Sequence, residues 1–189
     1  MNPRTGQPFL PEATRSAEAI RRGVGLYLVE EILVDANLFR RLRVRAEARG
    51  VDGLPDLLAA LQLVTGTPYD GLLSRGRPWL TETRPDQTLL CAIVDIAHLV
   101  TTITLETGNT KQARAAAELA MLVAPDETTP ALGVAAVAAH EGRNDEAVAL
   151  ARAIVDWRDG SGDAPLEIPS RAERILQTHR WLEPEMQAR

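Results

Sequence analysis

Asp95, His98, Thr102 and Glu106 fall at i, i+3, i+7 and i+11, a spacing that puts all four polar side chains on one face of a single helix. A carboxylate beside an imidazole can move a proton, share a metal ion or grip a polar partner. Thr129, Leu132, Ala136 and His140 repeat the same positions at one constant offset further along the chain, so the two sets are expected to form one wall of a partner-binding groove. The plainer alternative is an Asp95–His98 pair that does no more than satisfy a half-buried histidine.

Other chemistries find less support. His98, His140, His179 and Cys91 show no metal-ligand spacing. Asp156, Asp159 and Asp163 lie in a glycine-bearing stretch similar to a calcium loop, but Ala164 and Ser170 stand where such a loop needs glycine and a bidentate glutamate. Cys91 sits among apolar neighbours without a basic residue beside it, which predicts a buried, inert thiol. No phosphate-binding glycine motif occurs. The expectation is a protein that is not an enzyme and takes no cofactor or metal. Arg40, Arg41, Arg43, Arg45 and Arg49 crowd one further helix. They read either as a solvated face paired with Glu47 or as a phosphate or nucleic-acid contact, although no aromatics are interleaved.

The elements that must position these residues are read from periodicity. Gly108, Ala113, Ala117 and Ala120 recur in the same order and spacing as Gly142, Ala147, Ala151 and Ile154. The offset from Gly108 to Gly142 equals the period of tetratricopeptide repeats. Gly108-Asn109 and Gly142-Arg143-Asn144 stand where a tight turn joins helix A to helix B, and the alanines let the two helices approach. Asp35 can cap a helix over 36–49 that Gly50 stops. Apolar spacing predicts further helices over about 54–64, 85–107 and 145–157, another that Asp126 or Thr128 can start and that runs to about 141, and the box Ser170-Arg-Ala-Glu173 predicts a last one over about 171–179. Alternation in residues 24–34 predicts a small β-hairpin. Trp79 is expected to anchor the connector 65–84, and Trp181 with Leu182 to cover the end of the helices. The fold class expected is mainly α, a tetratricopeptide-like stack of antiparallel helical hairpins with a small N-terminal β-hairpin. It divides into 1–34 and a helical domain over 35–189.

Bulk properties narrow the function. The chain has 189 residues, a net charge of −5 and 4 % aromatic residues, so the core must be built from aliphatic side chains and nucleic-acid binding by the whole chain gains no support. One cysteine allows no intrachain disulfide and suits a reducing compartment, so a cytoplasmic location is expected. No uninterrupted apolar run of membrane-spanning length and no signal-peptide core are read in the sequence, which predicts no membrane segment.

With these segments laid out, the chain resembles the bacterial transcriptional activator domain (BTAD), as found in the C-terminal region of actinobacterial proteins that combine LysM and BTAD modules. The segments that carry the likeness are Gly25-Leu-Tyr-Leu, Val34-Asp-Ala-Asn-Leu-Phe-Arg-Arg-Leu-Arg, Leu57-Leu-Ala-Ala-Leu-Gln-Leu-Val-Thr-Gly-Thr-Pro-Tyr-Asp, Trp79-Leu, Cys91-Ala-Ile-Val-Asp-Ile-Ala-His-Leu-Val-Thr-Thr and Arg114-Ala-Ala-Ala-Glu. In that family the module follows a winged-helix unit, and residues 1–34 resemble the end of one. The helices that would hold DNA are not in this sequence. The resemblance therefore implies a cytoplasmic effector or dimerisation module of a transcription regulator, which binds a protein partner or a second copy of itself and serves an attached or separate DNA-binding domain. Direct nucleic-acid binding through the arginine helix, and small-ligand sensing in the groove, are the alternatives.

Overall fold

The computed structural model describes residues 6, 20, 21, 23, 34–70, 82–160 and 172–175. The chain divides into two compact units, Met1–Leu38 and Phe39–Arg189. Among the described residues all regular structure is helical. The expected hairpin over 24–34, together with Trp79, Trp181 and Leu182, lies outside them apart from Val34.

Helix α1 spans Asp35–Arg49. Asp35, expected to cap it, is instead its first residue: its Oδ1 accepts only from the adjacent Ala36 amide at 2.7 Å, and the carbonyl of Val34 takes the first bonds, from the Asn37 and Leu38 amides, each at 2.9 Å. Gly50 ends the helix with φ +57°. Phe39, Leu42 and Ala46 are its buried stripe. A 3-10 turn, Gly50–Gly53, leads into α2, Leu54–Leu61, with Pro55 in the first turn where its missing N–H costs nothing. The longest helix, α3, spans Pro85–Glu106. Then come α4 (Thr110–Val123), α5 (Thr128–His140) and α6 (Asn144–Gly160). Helix α2 packs on α3, α3 on α4 and α5, α4 on α5, and α5 on α6.

The offset seen in the sequence reappears in the backbone. Helices α3 and α5 end at Glu106 and His140, and α4 and α6 begin at Thr110 and Asn144. Both turns close in the same way, with glycines at φ +74° and +79°. The Gly108 amide donates to Leu105 at 3.0 Å and the Asn109 amide to Thr104 at 2.7 Å. Gly142 donates to Ala139 at 3.0 Å and Arg143 to Ala138 at 2.8 Å. This is the pair of hydrogen bonds of a Schellman turn, made twice, and it requires the left-handed backbone that glycine adopts without strain. The exits differ in their side chains. Asn109 Oδ1 accepts from the Gln112 amide at 3.2 Å and so caps α4, whereas Arg143 pairs with Glu141 and Glu146.

Small residues form the core of this part. Ala113 and Ala117 of α4 meet Ala136 and Val137 of α5 together with Leu105, and Ala135 and Ala138 meet Ala147 of α6. A Cβ built on Gly133 would stand 3.6 Å from the Ala117 Cβ, in ordinary contact, so α4 and α5 meet here with room for a methyl group and little more. Leu132 packs with Ala151 of α6 and with Ala172, all of them buried, which places residues 172–175 over the α5–α6 pair.

Helix α3 is both long and apolar. An 18-residue window of it has a mean hydropathy of 1.9, so by length and composition it could cross a membrane. A core helix needs the same composition: Ile93, Ile96, Ala97 and Val100 are buried where α3 meets α2, α4 and α5. Its buried hydroxyls turn back on the helix, Thr101 Oγ1 donating to the Ala97 carbonyl at 2.7 Å and Thr104 Oγ1 to that of Val100 at 2.6 Å.

Candidate functional site

The face of α3 that bears Asp95 opens on a cavity of about 230 Å³. Arg43, Ala46 and Glu47 of α1 line it with Gly50, Leu54 and Leu57 on one side, and Asp95, Ile96, Leu99 and Ile103 of α3 line the other. Each helix contributes residues three or four apart, the spacing that sets side chains in a row. Leu99 is 46 % exposed. Arg43 Nε donates to Glu47 Oε1 at 2.9 Å, one turn along α1 at the edge of the cavity.

Two features fix the wall made by α1 and α2. Gly53 lies so close to α1 that a Cβ there would stand 2.3 Å from the Ala46 carbonyl oxygen, a distance no side chain can occupy. Asp56, buried in the first turn of α2, then ties the helices together: Arg45 Nε and Nη2 donate to its two oxygens at 2.8 and 2.6 Å, and Arg49 Nη1 donates at 3.4 Å. The hydrogen bond from Arg45 holds the Asp56 carboxyl below its usual pKa range, against the opposing effect of burial. The same bond raises the Arg45 pKa.

The residues picked out in the sequence separate in the structure. Asp95 lines the cavity; His98 is half-buried, and Thr102 and Glu106 are exposed. Thr102 Oγ1 donates to the His98 carbonyl at 3.0 Å. Thr129, Leu132 and Ala136 are buried, so three of the four residues in the second half of the expected wall are interior. His140 is exposed, with Nδ1 3.1 Å from the Ala136 carbonyl oxygen, a contact that needs the proton on Nδ1. Of the arginine cluster, Arg43 pairs with Glu47, and Arg45 and Arg49 with Asp56; Arg40 and Arg41 are exposed.

Cys91 is exposed, contrary to the expectation of a buried thiol. Its apolar neighbours in sequence point to other faces of α3. Its neighbours along the helix face, Thr88 and Asp95, are polar, and that was the signal to read. Sequence reasoning also missed the apolar lining, because Leu54, Leu57, Leu99 and Ile103 each belong to an ordinary helical stripe. Asp56, a lone carboxylate in an apolar helix, was the visible sign that α2 needed a cationic partner.

Among the described residues no group of three His, Cys, Asp or Glu side chains could hold a metal ion. What the site offers is an apolar depression with charged edges. No protein-family model matches the chain, and no match to a curated protein or a solved structure was found.

Proposed function

We propose that this chain is a non-enzymatic interaction module that holds a protein partner in the groove between α1–α2 and α3. The observation that carries the reading is the cavity itself, with Leu99 46 % exposed among Leu54, Leu57 and Ile103: open aliphatic surface beside charged edges is what a docking surface supplies. The paired Schellman turns at Gly108 and Gly142 support a tetratricopeptide-like stack, an architecture that works by presenting grooves. The resemblance to BTAD sets this role in a bacterial transcription regulator, where partner binding or self-association would act on a neighbouring DNA-binding unit. Direct nucleic-acid binding is the weaker alternative, because three of the five arginines already meet carboxylates. Small-ligand sensing is weaker too, since the cavity falls below the roughly 300–1,000 Å³ that encloses a drug-sized ligand.

Affinity capture from the source cell with the whole chain and with Leu99→Asp tests the role. A partner retained by the first and released by the second is expected. The same proteins on both baits, or none on either, would count against it.

A further inference from the structure

We propose that the face of the α5–α6 pair carrying Leu132, Ala151 and Ile154 is a helix-docking surface, which the chain's own residues 172–175 hold closed as a releasable latch. It is separate from the groove beside α3. The repeat carries the case. Ala117 of α4 faces Gly133 of the next helix, α5, at ordinary contact distance, and Ala151 of α6 is the residue that the Gly108-to-Gly142 offset sets in the place of Ala117. What Ala151 meets is Ala172, in one buried cluster with Leu132 of α5. Residues 172–175 are helical, so they take on α6 the position that α5 takes on α4, and they touch α5 as α5 touches α3.

The two occupants differ in how firmly they are held. Helix α5 buries Leu132, Ala135, Ala136, Val137 and Ala138, whereas in residues 172–175 only Ala172 is buried and Ile175 half-buried, with Glu173 and Arg174 exposed. Inward side chains three apart belong to one helical turn, so the contact is a single turn laid on Leu132, Ala151 and Ile154. A contact of that size opens at lower free energy than the helices it rests on. Once open, it bares an aliphatic surface shaped for a helix that carries a small residue and, three positions on, a branched aliphatic one. The small residue is the stricter requirement: Ala172 is fully buried against Ala151 and Leu132, where a longer side chain must force the helices apart. Residues 172–175 thus act as a tethered competitor, at an effective concentration on the order of millimolar, against any helix of the same pattern.

Fluorescence anisotropy with the whole chain tests the latch. The probe is a labelled peptide of residues 168–180, titrated with the parent, with Ala172→Arg, whose own segment no longer fits, and with Ile175→Glu, a gentler change at a half-buried position. Both variants should bind the peptide saturably, and the parent at least about tenfold more weakly because its tethered segment is in place. A peptide carrying the same Ala172→Arg change should bind none of the three. Equal affinity for parent and variants, no binding to either variant, or undiminished binding of the arginine peptide would overturn the proposal. Circular dichroism separates release from unfolding. Loss of helix content in both variants would make residues 172–175 an integral part of the fold and would also contradict a latch; if only Ala172→Arg loses it, Ile175→Glu decides.

Discussion

Leu99 and Gly133 hold the same place in two stretches of chain that turn alike, yet one is 46 % exposed beside a cavity and the other is buried against Ala117. The same reversal holds for His98 and Leu132, and for Thr102 and Ala136: half-buried or exposed in α3, buried in α5. The turns cannot account for it, because their hydrogen bonds correspond one for one. What differs is the size of the residues at each helix contact. Between α4 and α5 the seam is mostly alanine and glycine, with Val137, and the helices close on each other. Between α1–α2 and α3 the facing residues are leucine, isoleucine and the long Arg43 and Glu47 side chains, which leave space unfilled. A repeated backbone can thus be packed shut in one copy and left open for a partner in the other.

Gly53→Ala should have the largest effect, because the new methyl would meet backbone rather than a movable side chain. A loss of about 3 kcal/mol in chemical denaturation is expected, with α1 and α2 forced apart. Transplanting the residue of the open copy into the closed one, as Gly133→Leu, should cost about 2–3 kcal/mol by overfilling the α4–α5 seam. Leu99→Ala, in the open copy, should cost under about 1 kcal/mol because the side chain is already half in solvent. If those two variants are equally stable, the packing difference is not real.

The turns supply the control. Gly108→Ala and Gly142→Ala place a Cβ in open space, so each should cost only the left-handed backbone strain, about 1 kcal/mol, and the two costs should agree. Unequal costs would show that the turns are not equivalent.

Asp56→Asn probes what holds the open wall, through pH. The folded carboxyl titrates below its unfolded value, so its stabilisation is complete above about pH 4 and disappears as pH falls through the lower folded value. Asp56→Asn should therefore be less stable than the parent at neutral pH, with the gap closing in acid. A gap that persists at low pH would place the effect elsewhere.

How much of this could be read beforehand follows from the range of each signal. The two turns were legible because a glycine with a left-handed backbone leaves a local mark, repeated at a fixed offset. Helix α3 was expected over 85–107 and spans Pro85–Glu106, since Pro85 and the Gly108 turn bound it. The groove was not legible. Its walls come from residues far apart in the chain, and nothing in the spacing of Leu54 and Leu57 says that Leu99 will face them across a gap. Carrying the polar face of α3 forward by one repeat failed at Leu132 and Ala136 for the same reason: a repeat preserves backbone geometry, while burial depends on what packs against each copy.

The difference between the copies is most directly tested by methyl NMR with a soluble nitroxide. The Leu99 methyl signals should broaden strongly while those of Leu132, fully buried against Ala151 and Ala172, remain sharp. Equal broadening of the two leucines, or protection of Leu99, would contradict an open groove beside α3.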